Sequence, residues 1–211
     1  MERLIKQATL IDFLGILLPG AVFVIAVHYY GVWDVASPWN ALFGAESASL
    51  LIYFAGVSYL CGSVIHQIGA VVEQCLTFGP LRNKNMHEKY WNEPAIQDAY
   101  RKTFGKEPPK ENDKREWQIA AGREVFRTIQ RGERPQRIIL FSAFYTMSRA
   151  MVLTLTCVGI MAIWHERYYL VASIPTICVC VVGGIVFYRR WIWYESHCVD
   201  EAYRIFLQKE H

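Results

Sequence analysis

The sequence predicts an all-α integral membrane protein. It has four transmembrane helices, a cytoplasmic helical insert between the second and third, and a C-terminal cytoplasmic helix. Three observations carry this prediction. Apolar residues make up 53% of the 211-residue chain and are gathered into four blocks rather than spread. The lysines and arginines outside the blocks, Arg167 excepted, fall on one side of such a layout. Aromatic rings collect at the block ends.

The first block, Leu10 to Tyr30, has Asp12 as its only charged residue. Ser47 to Leu76 contains only His66 and Glu73 as ionisable side chains besides cysteine. Ser142 to Trp164 contains only Arg149, and Tyr168 to Tyr188 contains no Lys, Arg, Asp, Glu or His. A hydrocarbon core of ~30 Å is crossed by about 20 helical residues, so spans are expected at about 10–30, 48–76, 142–164 and 168–188. Arg3 and Lys6 also suit a signal peptide. The apolar run continues to Val27, however, past an h-region of about 7–15 residues, and no small-x-small cleavage site follows. A retained helix is the better reading. The chain then divides into a transmembrane hairpin 1–79, a basic insert 80–141, a second hairpin 142–190 and an amphipathic tail 191–211.

Orientation follows from the basic residues. Arg3 and Lys6 precede the first span, whereas the loop Gly31 to Glu46 has no Lys or Arg. The segment Pro80 to Phe141 holds fourteen Lys and Arg against nine Asp and Glu, and the tail opens with Arg189 and Arg190. Only Arg167 lies in the short third loop. Both termini and the insert are therefore expected in the cytoplasm. Tyr29, Tyr30, Trp33, Trp39, Trp164, Tyr168 and Tyr169 would mark the outer interface, and Tyr188, Trp191, Trp193 and Tyr194 the inner one.

The insert reads as helical. Asn92 can cap a helix with Pro94 in its first turn, Ile96, Ala99, Tyr100 and Phe104 on one face, and Gly105 at its end. Asp113 and Glu116 form a capping box ahead of Trp117, Ala121, Val125 and Ile129 at intervals of four. About 60 residues make a poor independent enzyme domain. These stripes must bury against each other, the tail or a neighbouring subunit. The tail offers a matching stripe in Trp191, Tyr194, Cys198, Ala202 and Phe206.

Several residues stand out as functional candidates. Asp12 and Arg149 would enter the membrane at similar depth, and a pair would account for both charges; helix-dipole complementation alone also accounts for Asp12. Pro19 and Gly20 interrupt the first span and make either a packing kink or a hinge. In the second span Ser58, Gly62, His66, Gly69 and Glu73 share one face at spacings of three and four. Small residues there allow close helix approach, while His66 and Glu73 fit a wetted, pore-lining face. Four helices enclose too little volume for a gated path, so a pore requires a homo-oligomer. Five of the six cysteines lie in spans and Cys198 in the tail, which excludes a disulfide framework. Zinc on Cys178, Cys180, His197 and Cys198 would need ligands at different depths, so no metal ligand is expected.

Arg82, Asn83 and His87 match in type and spacing the R-[N/D/H]-x3-H motif of the HEPN ribonucleases, which they resemble over six residues. That resemblance implies a His and an Arg acting on an RNA phosphate. The basic insert is otherwise explained by attraction to anionic lipid. Its net charge of +5, fourteen minus nine, leaves room for a nucleotide or nucleic acid. No phosphate-binding or hydrolase motif supports that, so no catalytic residue and no cofactor are expected.

Asp12, Leu14-Gly15, Pro19-Gly20 and the stretch Ser148 to Met151, with the four-span layout and basic insert, resemble small inner-membrane proteins of bacterial antiphage defence operons, CRISPR-associated and other accessory proteins among them. The resemblance implies an oligomeric, non-enzymatic component that senses infection or forms a gated pore. Membrane lipids and a cytosolic protein bound to 80–141 and 191–211 would be its partners. A transporter or channel subunit unrelated to defence is the alternative, and a membrane-anchored HEPN-like ribonuclease a further one.

Overall fold

The computed structural model describes residues 13–32, 47–78, 87–110, 115–130, 136–165 and 170–208. Among these, every regular element is a helix. A π-helical turn, Phe13–Leu17, leads into α1, Leu18–Tyr29. There follow α2 (Ser47–Phe78), α3 (Glu88–Trp91), α4 (Pro94–Phe104), α5 (Arg115–Gln130), α6 (Gln136–His165) and α7 (Leu170–Gln208). Three helices among the described residues are long and apolar enough to cross a membrane, over Ala48–Cys75, Arg137–His165 and Ile174–Gln208. The apolar helix Phe13–Tyr29 is shorter.

Pro19 shapes the start of α1. It has no N–H to donate and its ring excludes the carbonyl four residues back, so α-helical bonding cannot run through it. The wider π turn ends there instead, and Pro19 takes a position in the first turn of α1, where a missing donor costs least. The sequence predicts a bend inside one helix; the structure resolves it as a change of helical type.

The chain forms two compact units. The first comprises Met1–Val72 and Ala143–Ile192. In it Ala26 of α1 and Tyr30, which caps that helix, pack with Val158 and Ala162 of α6 and Cys180 of α7. Large aliphatic side chains such as Leu51, Leu60, Ile68, Ile160, Val181 and Ile185 stay exposed on α2, α6 and α7. Exposed apolar surface on that scale marks a face meant for lipid or protein.

The second unit, Glu73–Ser142 with Trp193–His211, has its own core. Trp91, Ile96, Ala99 and Tyr100 meet Ala121, Val125 and Ile129 of α5, Ile138, and Val199, Ala202, Tyr203 and Phe206 of α7. The amphipathic insert helices thus bury their apolar faces against the end of α7. Gly105 stops α4 with φ 64°, a left-handed cap that glycine adopts at no steric cost. Asn92 does not cap α4; it closes α3, and the extended Glu93 is the cap residue. The two-residue spacing to Pro94 leaves room for both ends. Trp117 is 45% exposed although Val125 and Ile129 are buried. Steps of four drift about 40° around a helix of 3.6 residues per turn, which carries Trp117 off the buried face. Asp113 lies outside the described residues.

No break separates span from tail. The sequence places a boundary near residue 190; α7 runs 39 residues through that point, and the two units divide within it, between Ile192 and Trp193. Arginine is a good helix former, and no proline follows Pro175 within the helix.

Candidate functional site

Three glycines set the geometry of the first unit. A Cβ on Gly62 of α2 would run into the backbone carbonyl of Ile16, and one on Gly20 would run into the carbonyl of Ser58. The π turn and start of α1 therefore cross α2 in backbone-to-backbone contact, with Ser58 fully buried at the crossing. Gly15 faces Thr146 of α6. Thr154, also fully buried, donates its hydroxyl to the Pro19 carbonyl at 3.5 Å.

One helical turn beyond Gly62, His66 meets Arg149 of α6. The Arg149 Nη2 lies 3.3 Å from His66 Nδ1. An arginine can only donate, so Nδ1 accepts and the ring carries its proton on Nε2. The guanidinium also lies 5.4 Å from the Tyr145 ring centroid, within cation–π range. Gly69 eases this approach: a Cβ there would sit 3.3 Å from Arg149 Nε, so the arginine would have to shift slightly. Arg149 is only 7% exposed. A cation at the centre of a membrane helix costs ~2.5–3.5 kcal/mol, so an acceptor and an aromatic face are the company it requires.

The structure thus joins residues that the sequence singles out separately. Gly20 meets Ser58 and Gly62, and Pro19 meets Thr154, while His66, Gly69 and Arg149 form one cluster. Glu73, two turns beyond His66, belongs to the second unit. Asp12 lies outside the described residues, as do Arg82 and Asn83. The proximity of Arg149 to His66 was not legible, because it depends on the register of α2 against α6. Arg149 as the one charge within the apolar block Ser142 to Trp164 was the signal the sequence offered.

The second unit holds another polar cluster. His87 Nδ1 is 3.1 Å from the Tyr203 hydroxyl, and Tyr90 stacks on Tyr203 with centroids 4.2 Å apart. Asp200 accepts from Lys89 at 2.7 Å and from the Tyr90 hydroxyl. Burial, aided by the positive charge of Arg123, lowers the His87 pKa to about 4. Burial also pushes the Tyr203 hydroxyl well above its ordinary range. The arrangement both shifts favour is a neutral ring accepting from the Tyr203 hydroxyl. Gly122 leaves room for the imidazole, since a Cβ there would overlap it.

These groups make stability depend on pH. Burial favours the neutral His87 ring in the folded state, so the unfolded chain, with its pKa near 6.5, binds the proton more tightly. The contribution is complete above about pH 6.5 and is lost as pH falls towards about 4. The shift corresponds to roughly 3 kcal/mol. Denaturant unfolding followed between pH 7 and 4 is expected to show this loss, and His87→Gln to flatten the slope in that window. An unchanged slope in the variant would assign the dependence to other groups.

Among the described residues, no three His, Cys, Asp or Glu side chains come together as a metal site would require. No protein-family profile, curated protein or solved structure matches the chain.

Proposed function

We propose that this chain is a multi-pass bacterial inner-membrane protein with four spans, the fourth supplied by the segment containing α1. Both termini and the insert lie in the cytoplasm. It acts without enzymatic chemistry, as an oligomeric component of antiviral defence that answers infection by opening a pore, together with a cytosolic partner bound to the second unit. The distribution of Lys and Arg, the aromatic belts and the apolar helices support the membrane topology. The defence role rests on the resemblance in layout and on the motif residues around Asp12 and Pro19.

One observation carries the functional reading: Arg149 and His66 are held together in the unit that contains the apolar helices. Ionisable side chains within spans are costly, and where they occur they mark ion paths, proton relays or switches. Protonation of His66 would remove the acceptor and set two cations side by side. That gives a gate a state to leave and a state to reach.

The test is made in cells expressing the chain with its gene neighbours. Membrane potential and uptake of an impermeant dye are followed before and after phage challenge. The expected result is depolarisation on infection, suppressed at least tenfold by Arg149→Gln or His66→Gln at equal membrane abundance. Protection with an undisturbed membrane would transfer the effector role to the partner. Absence of protection would remove defence from the reading.

A further inference from the structure

Helices α6 and α7 leave a groove of about 460 Å³ on the first unit. Leu155 and Gly159 line it from α6, and Val181, Gly184, Ile185 and Tyr188 from α7. Its volume lies within the ~300–1,000 Å³ typical of small-ligand sites. The lining is aliphatic apart from Thr156 and Cys180 and ends at Tyr188, whose hydroxyl is the first strongly polar group reached along α7. The next two residues, Arg189 and Arg190, are exposed. Arg189 follows Ile185 by four residues and so continues the row that lines the groove.

An apolar slot that ends in two cations fits a ligand with an apolar tail and an anionic head. We propose that this groove binds one anionic phospholipid, its acyl chain against Gly159 and Gly184 and its phosphate headgroup against Arg189 and Arg190. Basic sites beside membrane helices on the cytoplasmic side hold such headgroups, and the two arginines stand where the positive-inside layout puts the cytoplasmic interface. The inference rests on the membrane topology proposed above. Phosphatidylcholine has the same acyl chains, so the arginines are what select the lipid. At roughly fivefold for each cation near the headgroup, preference for the anionic lipid should reach about thirtyfold.

The full chain is delipidated in detergent and titrated with phosphatidylglycerol or phosphatidylcholine of equal chain length, with retained lipid read by native mass spectrometry. Phosphatidylglycerol is expected to bind about thirtyfold more tightly, and Arg189→Gln with Arg190→Gln to bring the ratio close to one. Gly184→Leu fills the groove. No atom lies within 4 Å of a Cβ placed there, so the fold should survive with an unchanged melting temperature while retention of both lipids falls. Equal binding of the two lipids overturns the proposal, as does a preference that survives the arginine changes. So does a Gly184→Leu variant that keeps its lipid, including one that instead loses a dimer and shows the occupant to be a second copy. Flotation with phosphatidylcholine vesicles separates the two levels: a chain that fails to float refutes the membrane topology, and one that floats without lipid preference refutes only the groove.

Discussion

Gly62→Ala is expected to unpack the first unit, whereas Gly56→Ala in the same helix leaves it intact. The difference lies in what each new methyl would meet. At Gly62 it meets the backbone carbonyl of Ile16, and Gly20 faces the Ser58 carbonyl from the other side of the same crossing. Neither obstacle is a side chain that can change rotamer, so the two segments must separate along their contact. That separation also disturbs the Thr154 bond to the Pro19 carbonyl. Overpacking costs ~1–3 kcal/mol and occasionally more; a backbone obstacle puts this case at or above the top of that range. Gly56 has no atom within 4 Å of its Cβ position, and replacing glycine by alanine within a helix contributes about 0.5–1 kcal/mol. Thermal unfolding of the two variants in the same detergent distinguishes them. Equal melting temperatures would mean that α1 and α2 do not cross at these glycines.

The helices were legible where local chemistry decides them. Gly105 can end α4 because a left-handed cap is its own conformational property, and Pro94 can open the helix because its missing donor is harmless there. The apolar blocks behind α2, α6 and α7 were legible from composition alone. What the sequence reading missed depends on register between distant segments. Arg189 and Arg190 mark a change of environment along α7 but are no obstacle to a helix, so the helix continues through them. In the candidate site, the small residues at Ser58, Gly62 and Gly69 could be seen as one face from their spacing. Their two different neighbours could not: Gly62 turns to Ile16, while Gly69 turns to Arg149. His87 shows the same limit. Six residues of motif spacing single it out, yet its contacts with Tyr203 and Gly122 come from 116 and 35 positions away.

Trp91→Ala is expected to cost the second unit about 3–5 kcal/mol, the range for removing a fully buried large aromatic, a large share of the ~5–15 kcal/mol that holds an ordinary domain folded. Trp91 is 0% exposed. It presents its ring edge-on to both Tyr100 and Tyr203, at centroid distances of 5.4 and 5.7 Å, so it joins the insert helices to the end of α7. Its loss would also loosen Tyr203, and with it the hydroxyl that His87 accepts from. Among the described residues the buried indole N–H has no hydrogen-bond partner, a burden of about 1–3 kcal/mol for such a group. Trp91→Phe removes that burden and keeps an aromatic ring, so its cost should be less than half that of the alanine change. Denaturant titration monitored by far-UV circular dichroism measures both. A phenylalanine variant as damaged as the alanine variant would show that indole volume, rather than an aromatic ring at this junction, holds α3, α4 and α7 together.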